Sequence, residues 1–548
     1  MDGTRRVFPG EPGGRSSVAL GRLWRADPDL QSAGSGPSTP EKEADRVASA
    51  FATVEADLAE LSRELRDRGD NESADIVVAS RLIASDPDLR SVVDGLVAAG
   101  GPAESAVVDA AEHYASVLAG LPDPTLSARS ADVRGVGRRL LHALGSAVSG
   151  VRATPDGPLI VVAREVTADD LLRVCGAAVG AASVLGGATG HAAIVARGLG
   201  IPIVFGMDVA VLAVAEGTEL LVDGGQGRVV VDPKTTEREA VIAAAAGDRA
   251  RRESLAAQRS RPTRTRDGRT VQVLANVGSS SEAEVAAGMG ADGIGLLRTE
   301  VPFLGASRWP SVADHVAALE PTLRPFAGRR VTVRTMDFAP DKLPPFVAGL
   351  GVRAAGPSLV RDAPERLGEQ LEAILVAASD VDLRVMIPMV ATASELDHCR
   401  TLLATAAARL GRVTPPLGAM IELPEAVEAI DAIVASADFV SIGTNDLTAS
   451  ILRIDRHDPW LTPARTLEPA VLSAIRDVVA AADRAKRSVS VCGDAASDPA
   501  VVPVLIGLGC TVLSAAAAAL DEVRDAVRST SYAEAARSVE AMLTTGAV

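Results

Sequence analysis

The sequence predicts an α/β multidomain protein, in which a compact α/β domain carries an inserted helical module and is followed by a (β/α)8 barrel. Three patterns lead to this prediction. Apolar residues recur at helical spacing over roughly 100 residues near the N-terminus. Short β-type runs separated by turns come next. Eight apolar runs then alternate with helix-length segments over the C-terminal half.

The helical module begins with Ala44–Leu65, where apolar residues recur at steps of three and four among acids and arginines, as an amphipathic helix requires. The same periodicity returns in Ala74–Ala84, Ser91–Ala98, Glu104–Leu118 and Asp132–Leu144. These segments contain no cluster of residue types typical of catalysis. The pattern therefore indicates a packing or docking module.

The α/β domain starts before that module, with the β-like stretch Ser17–Arg25, and resumes with the runs LIVVA, VCGAAV, PIVFG and ELLVDGGQGRVVVDP. Asp223, Gly224 and Gly227 between two apolar runs predict a hairpin. A charged segment ending in RSRPTRTRDGR is typical of a linker. The predicted boundaries are 1–28 and 148–233 for the α/β domain, 29–147 for the helical module, 234–264 for the linker and 265–540 for the barrel.

The C-terminal half contains eight short β-type runs: VQVLAN, GIGLLR, VTVRTM, RVMIPM, GAMIE, FVSIG, SVSVCG and TVLS. They alternate with helix-length segments over about 270 residues, which matches a (β/α)8 barrel in size and rhythm. A doubly wound open sheet is the alternative architecture that this pattern allows.

Composition excludes several classes of function. The net charge of −16 argues against nucleic-acid binding, which needs a basic face to neutralise phosphates. The N-terminus has no apolar core of the kind found in a signal peptide. Two uncharged windows, Val174–Ala196 and Val501–Leu520, contain glycines and favour buried units over membrane spans. Four separated cysteines suit a reducing compartment, so we expect a cytoplasmic protein without membrane insertion.

Polar side chains follow the predicted barrel strands at the points where barrel enzymes gather their chemistry. They are Arg298, Arg334, Glu422, Asn445, Asp446 and Cys492, with Arg353 and Arg456 in adjoining loops. Arginines bind phosphate and carboxylate through bidentate hydrogen bonds, and Glu422 and Asp446 could hold a magnesium ion. Any one arginine could form a surface ion pair instead. Together, the set predicts a site for a small molecule bearing both a phosphate and a carboxylate.

A second motif, GGATGHAAIVARGLGIPIVFG, places His191 where a glycine-rich turn passes into a helix. Backbone N–H groups and the positive end of the helix dipole favour an added phosphate there by about 0.3–1 kcal/mol, and by up to about 2 kcal/mol when it is partly buried. A histidine in such a turn, taken alone, is more often structural.

These motifs together resemble one family. GGATGHAAIVAR is similar to the phosphohistidine signature of phosphoenolpyruvate-utilising enzymes. The segments GIGLLRTE, VRTMD, IPM, GAMIELP, VSIGTNDLT, IDR and CGD resemble, in the same order, the barrel motifs of the Enzyme I family of the bacterial phosphotransferase system. ADVRGVGRRLL is similar to the end of that family's carrier-docking helical domain. The similarity extends over nearly the whole chain.

The resemblance implies a swivelling phosphohistidine α/β domain, an inserted carrier-binding helical domain and a phosphoenolpyruvate-binding barrel of the TIM type. It also implies a reaction sequence that serves sugar transport. His191 is phosphorylated from phosphoenolpyruvate with Mg²⁺, pyruvate is released, and the phosphoryl group passes to a histidine of the carrier protein HPr. A homodimer formed through the barrel is implied as well.

The same resemblance gives each site residue a role. Arg298, Arg334, Arg353 and Arg456 hold the substrate, Asn445 contacts its phosphate, Glu422 and Asp446 bind magnesium, and Cys492 protonates the departing enolate. A thiol at a barrel mouth is chemically suited to that proton transfer. An inert buried cysteine is the alternative for this residue type.

Several supporting positions depart from the family pattern: Gly190, Ala339, Pro340, Gly356, Leu423 and Asp494. The residues predicted to touch substrate and metal are intact. We therefore expect changes in rate, affinity or choice of carrier more than a different reaction. The alternatives are a divergent paralogue serving another carrier and a weakly active regulatory protein that senses phosphoenolpyruvate.

Overall fold

The computed structural model describes residues 6–12, 18–26, 39–67, 71–120, 124–144, 157–174, 176–187, 191–304, 306–338, 344–348, 363–456, 458 and 460–545. The chain divides into two compact units, Met1–Asp248 and Arg249–Val548.

The first unit contains an eight-stranded sheet in the order β1-β8-β7-β3-β4-β5-β6-β2. Its strands are β1 (Val7–Pro9), β2 (Glu11–Pro12), β3 (Val18–Arg25), β4 (Leu159–Ala163), β5 (Ala178–Ser183), β6 (Ile203–Phe205), β7 (Glu219–Asp223) and β8 (Arg228–Val231). The early strand β3 pairs in parallel with β4, although more than 130 positions separate them in sequence. The predicted insertion of the helical module between two parts of one α/β domain is confirmed.

Five helices form that module: α1 (Pro40–Asp67), α2 (Asn71–Ala84), α3 (Pro87–Ala98), α4 (Ala103–Ala119) and α5 (Pro124–Ala143). They bury the apolar stripes that predicted them, with Phe51, Leu58 and Val93 almost completely inaccessible. Helix α5 starts eight residues before the predicted Asp132, at a proline that suits a first helical turn.

The rest of the first unit contains α6 (Ala168–Arg173), α7 (His191–Gly198) and the start of α8 (Thr235–Ala256). Strands β7 and β8 pair antiparallel across residues 224–227, which confirms the predicted hairpin. The predicted strand VCGAAV was misplaced, because β5 begins at Ala178 and continues to Ser183. The apolar residue Val174 belongs instead to the end of α6, where it packs in the core. Cys175 lies outside the described residues.

The second unit is a closed barrel of eight parallel strands. They are β9 (Gln272–Val277), β10 (Gly293–Arg298), β11 (Arg330–Arg334), β12 (Asp382–Ile387), β13 (Leu417–Ile421), β14 (Phe439–Ile442), β15 (Ser488–Val491) and β16 (Val512–Ala516). Strand β16 pairs with β9, so the sheet has no edge and the alternative of an open doubly wound sheet is excluded.

The helices that accompany these strands are α9 (Ser280–Gly288), α10 (Val312–Leu323), α11 (Pro345–Ala348), α12 (Pro364–Ala377), α13 (Ala393–Arg409), α14 (Pro424–Glu428), α15 (Ile430–Ser436), α16 (Thr444–Leu452), α17 (Pro469–Ala485), α18 (Val502–Gly507), α19 (Leu520–Ser529) and α20 (Tyr532–Thr545). Local sequence explains where several of these helices begin. Thr392 and Glu395 form a capping box before α13, and Pro469 is the first residue of α17. No helix in the described part of the chain combines the length and apolarity that crossing a bilayer requires.

Candidate active site

The carboxyl ends of the barrel strands carry most of the predicted site residues. The set comprises Arg298 at the end of β10, Arg334 at the end of β11, Glu422 after β13, Asn445 and Asp446 after β14, and Cys492 after β15. Because all eight strands run in parallel in one closed barrel, these ends lie on the same face. Arg456, in the loop after α16, joins them through an ion pair with Asp446. Arg353 lies outside the described residues.

Arg334 is buried and contacts two carboxylates. Its Nη2 donates to Oε1 of Glu300 at 2.6 Å, and its Nη1 lies 3.0 Å from Oδ2 of Asp337. Burial disfavours the guanidinium charge, but the neighbouring Glu300, Asp337 and Glu422 more than offset it, so the pKa of Arg334 is raised. The guanidinium is therefore permanently charged and held in one orientation.

Glu422 is a buried carboxylate with an unusual backbone partner. The side chain is 1% exposed, and its Oε1 accepts a hydrogen bond from the N–H of Met389 at 2.7 Å. Met389 adopts a left-handed conformation with φ of 56°, which is uncommon for a residue with a side chain. Burial, together with the carboxylates of Asp337 and Asp446, raises the pKa of Glu422 to about 8, while Arg334 acts in the opposite direction.

Two glycines allow neighbouring strand ends to approach each other. A Cβ atom on Gly443 would lie 2.8 Å from Oε2 of Glu422, and a Cβ atom on Gly493 would lie 2.0 Å from Oγ1 of Thr444. Larger residues at these positions would displace the carboxylate and the start of α16. The glycines that follow β14 and Cys492 are thus required by close packing of the rim.

Helix α16 presents Asn445 and Asp446 in its first turn. Asn445 makes a reciprocal pair of bonds with Asp494: its Nδ2 donates to Oδ2 at 3.0 Å, and its Oδ1 accepts from the backbone N–H at 2.8 Å. Asp446 Oδ1 lies 3.0 Å from Nη1 of Arg456. Asp494, where the resembled family usually has glutamate, therefore orients the amide of Asn445.

Cys492 lies inside the barrel mouth. It is 4% exposed and packs with Leu296, Met386, Met420 and Phe439. Burial raises the pKa of the thiol to about 12, so Cys492 retains its proton at neutral pH. Its Sγ lies 3.6 Å from the carbonyl oxygen of Ile442, to which the thiol donates.

The backbone of Cys492 is held by a second buried group. Nδ2 of Asn276, near the end of β9, donates to the Cys492 carbonyl at 3.1 Å. Oδ1 of the same amide accepts from Oγ of Ser514 on β16 at 2.6 Å. These bonds link β9, β16 and the segment that follows β15, which are neighbours in the barrel.

His191 is the first residue of α7, as the sequence predicted. Its Nδ1 lies 3.0 Å and 3.2 Å from the two carboxylate oxygens of Asp132 on α5. The imidazole is about a quarter exposed, whereas the Asp132 carboxylate is almost completely buried. A partly accessible histidine with a fixed carboxylate partner is the arrangement expected of a reactive imidazole.

Three other histidines in the described part of the chain have different surroundings. His315 is 1% exposed, both of its ring nitrogens are unpartnered, and burial lowers its pKa to about 4. The pKa of His142 is lowered by burial and by Arg173 and Arg139. His398 is exposed, with its Nδ1 2.7 Å from a backbone carbonyl oxygen within its own helix.

Oxygen donors on the barrel face fit a magnesium ion. Glu422 and Asp446 lie close enough for the charge of one to raise the pKa of the other. Magnesium commonly takes one or two protein carboxylates and completes its shell with water and substrate phosphate. Within the described ranges, His, Cys, Asp and Glu form no group of three or more that could hold a metal alone. The donor set suits a cation shared with a ligand.

Sequence reasoning gave no role to four residues that contact the site: Glu300, Asp337, Met389 and Asp132. Each stands inside a recognised motif, and Glu300 and Asp337 follow strands β10 and β11 by two and three positions. The position of Glu300 and Asp337 just past a strand end was the sequence signal that could have assigned them to the site. The motif ADVRGVGRRLL indicated a docking helix around Asp132, but nothing in its spacing indicated a contact with His191.

Comparison with known families gives three matches in chain order. The N-terminal domain of the PEP-utilising enzymes matches residues 13–129, their mobile domain matches 155–227, and their PEP-binding domain matches 252–532. Of the departures from the family pattern, Gly190, Ala339, Pro340 and Gly356 lie outside the described residues, and Leu423 lies between β13 and α14.

Several named proteins are similar over most of the chain. A phosphoenolpyruvate-protein phosphotransferase of Haloferax volcanii is 33% identical, covering 91% of this chain and 89% of the relative. One of Streptomyces coelicolor is 35% identical, with the same coverage. A multiphosphoryl transfer protein of Xanthomonas campestris is 36% identical over 83% of this chain. The chain spans 56% of that protein and 60% of a similar one from Rhodobacter capsulatus.

Proposed function

This chain belongs to the phosphoenolpyruvate-utilising enzymes, and on that premise we propose that it transfers the phosphoryl group of phosphoenolpyruvate to His191 and then to a carrier protein. The observation that supports the proposal best is the gathering of Arg334, Glu422, Asp446 and Cys492 on one face of the barrel. A substrate with a phosphate, a carboxylate and a carbon that must be protonated needs these three kinds of group.

Arginines and the Asn445 amide position the substrate in this proposal. Arg334 is fixed by Glu300 and Asp337, so it loses little conformational freedom when it binds an anion. Arg298 is exposed at the end of β10 and can reach a ligand from the solvent side. Arg353 and Arg456 complete the set. Phosphoryl transfer depends mainly on such positioning and on neutralising charge.

Glu422 and Asp446 are the residues that would hold magnesium. When bound, the ion would neutralise phosphate charge and favour the ionised form of both carboxylates. Burial raises the pKa of Glu422 to about 8, and the nearby carboxylates of Asp337 and Asp446 add a repulsion that a divalent cation relieves. Arg456 would then exchange its contact with Asp446 for one with the substrate.

Cys492 is the proposed acid for the enolate carbon. Its thiol is protonated at neutral pH and lies at the barrel mouth, so it has a proton available where the substrate would bind. Leu296, Met386, Met420 and Phe439 surround it with an apolar wall that limits access of water.

The finer parts of the proposal concern the partner and the assembly. We propose that the accepting carrier is HPr and that the reaction serves sugar transport in the cytoplasm. A homodimer formed through the barrel belongs to the same proposal. The net charge of −16 supports an interaction with a basic carrier. Titration with HPr, followed by light scattering of the chain alone, tests the partner and the assembly separately.

A labelling experiment tests the central step. The chain is incubated with phosphoenolpyruvate labelled in its phosphate, with and without magnesium, and the labelled residue is mapped under alkaline conditions. We expect label on His191, its loss in His191→Ala, and its retention in His398→Ala, which removes an exposed histidine elsewhere. Equal labelling of His191→Ala and wild type would refute the proposal.

Transfer to the carrier is read in the same experiment. HPr is added to the labelled chain, and label should move from His191 to a histidine of HPr. Retention of label on the chain, combined with transfer to a different small carrier, would support the divergent paralogue instead. Labelling with no transfer to any tested carrier would favour the regulatory alternative.

A further inference from the structure

The inner face of the barrel carries two paired serines close to the thiol of Cys492. Ser441 on β14 and Ser490 on β15 stand opposite each other, and Oγ of Ser490 donates to Oγ of Ser441 at 2.8 Å. Because side chains alternate along a strand, Ser490 shares the inner face of β15 with Cys492. Bulky branched side chains usually fill the interior of such barrels. A completely buried hydroxyl, such as that of Ser441, therefore calls for a reason.

The hydrogen bonds continue from Ser441 to the thiol. Burial raises the pKa of Cys492, and the largest effect in the opposite direction is a hydrogen bond with the side chain of Ser441. A bond that lowers the pKa of an acid is one that its ionised form accepts, so Ser441 donates to the sulphur. Its single hydrogen is available for this bond, because Ser490 supplies the hydrogen between the two oxygens. The hydroxyls thus point one after the other toward Cys492.

Exposure increases along the inner face of β15 with distance from the barrel mouth. Cys492 is buried, Ser490 is partly exposed, and Ser488 at the start of the strand is exposed. Ser490 and Cys492 are two strand positions apart, about 6–7 Å, which is too far for a direct hydrogen bond. Ser441 on the neighbouring strand bridges that distance. The two serines therefore connect the thiol to the partly exposed interior on the side away from the mouth.

A thiol that gives its proton to a substrate must recover one before it can act again. The mouth offers a poor route, because Cys492 is 4% exposed and packs against apolar side chains. We propose that Ser441 and Ser490 form a proton relay that returns a proton from solvent to Cys492. This inference rests on the proposed role of Cys492 as the acid that protonates the enolate.

The proton balance of the cycle closes with water as the source. When the enolate carbon takes the proton, the electron pair of the enolate forms the C–H bond and the S–H pair stays on sulphur as a thiolate. The Ser441 proton then moves to Sγ, the Ser490 proton moves to Oγ of Ser441, and a water proton moves to Oγ of Ser490. These transfers are concerted, so no serine alkoxide forms. The hydroxide left in solvent takes a proton from the buffer.

Exchange of carbon label between pyruvate and phosphoenolpyruvate in D₂O separates the relay from the chemical step. The exchange uses the full chain with magnesium and needs no carrier protein. In each return reaction the thiolate takes a hydrogen back from the pyruvate methyl group, so carbon exchange requires no proton from solvent. Deuterium enters the vinyl group of phosphoenolpyruvate only if the thiol exchanges with solvent between the two reactions. The ratio of deuterium entry to carbon exchange therefore measures the relay.

The matched variants are Ser490→Val and Ser490→Thr. Their side chains have the same shape and both are favoured in strands, but only threonine keeps the hydroxyl. We expect Ser490→Val to lower the ratio roughly 100-fold, the lower end of what a positioned proton-transfer group contributes. Ser441→Ala should have the same effect. Ser490→Thr should keep the wild-type ratio, because its hydroxyl can still accept and donate a proton.

An unchanged ratio in both Ser490→Val and Ser441→Ala would overturn the inference, because the thiol would then recover its proton by another route. Equal loss of carbon exchange in Ser490→Val and Ser490→Thr, with the ratio unchanged, would leave the serines only a packing role and would overturn it too. Absence of carbon exchange in the wild type would instead contradict the proposed function.

The relay can also be measured without any substrate. The infrared S–H band of Cys492, identified by its loss in Cys492→Ala, converts to an S–D band after transfer of the protein to D₂O. Conversion should be slower in Ser490→Val than in the wild type and in Ser490→Thr. Equal rates in all three proteins would overturn the inference whether or not the proposed function holds.

Discussion

Replacing Cys492 by alanine tests the proton-transfer step separately from phosphoryl transfer. The substitution removes one sulphur atom from a packed barrel interior, which we expect to lower the free energy of unfolding by about 1–2 kcal/mol. A (β/α)8 barrel tolerates a loss of that size. The arginines and carboxylates of the rim do not depend on the thiol, so binding of phosphoenolpyruvate should be retained.

The expected kinetic effect is large. Loss of a general acid typically slows the step it serves by about 10²–10⁴-fold. Rapid-quench single-turnover measurements would follow phosphorylation of His191 and formation of pyruvate in the same samples. In Cys492→Ala, phosphorylation should be nearly normal while pyruvate formation is slowed to that extent. Cys492→Ser should also be slow, because a hydroxyl is a weaker acid than a thiol.

The chain supplies a matched control. Cys510 is a second buried thiol, and burial raises its pKa to about 12 as well. It precedes β16, so it lies at the opposite end of the barrel from the rim. Cys510→Ala should lose similar packing energy and make pyruvate at the wild-type rate.

The state of the thiol provides an independent check. With a pKa of about 12, Cys492 should contain about 10³-fold less thiolate than an unperturbed cysteine near pH 8. Alkylation of the native chain should therefore be slow, and pyruvate formation should not decline between pH 7 and 9 through ionisation of this thiol. A Cys492→Ala enzyme that makes pyruvate as fast as the wild type would rule out the thiol as the acid.

Three further predictions concern the metal, the arginine clamp and stability. Glu422→Ala or Asp446→Ala should abolish autophosphorylation while circular dichroism remains unchanged, and activity of either variant in a chelator would contradict the magnesium site. Arg334→Lys should weaken binding of phosphoenolpyruvate by at least tenfold in a calorimetric titration, because lysine cannot form bidentate contacts; unchanged affinity would exclude Arg334 from the clamp. His315 has a folded-state pKa of about 4, below its unfolded value, so the unfolded chain binds more protons and stability is lost as pH falls from about 6.5 to 4. In urea unfolding, the free energy of unfolding of the wild type should therefore fall between pH 7 and pH 4.5 by roughly 2–3 kcal/mol more than that of His315→Leu. An equal fall in wild type and variant would show that His315 does not titrate in this way.

Much of the fold could be predicted because its signals are local. Helical periodicity in Ala44–Leu65 and the buried run LIVVA at β4 are repeated patterns within one element. The same logic placed Arg334 and Glu422 at strand ends. Once a barrel is assumed, every strand end is assigned to one face without any knowledge of packing. Strand boundaries were less certain, as VCGAAV shows, because Val174 is buried equally well at the end of a helix.

What the sequence determined by itself is the architecture, the family resemblance and the residue types available at the rim and at His191. Only the tertiary structure decided which groups are partners: Asp132 for Nδ1 of His191, Glu300 for Arg334, and the N–H of Met389 for Glu422. The tertiary structure also determined the protonation of two groups: burial raises the pKa of Glu422 and keeps the Cys492 thiol protonated. The physical reason is that hydrogen-bond partners and desolvation depend on segments brought together from distant parts of the chain, which no local pattern records.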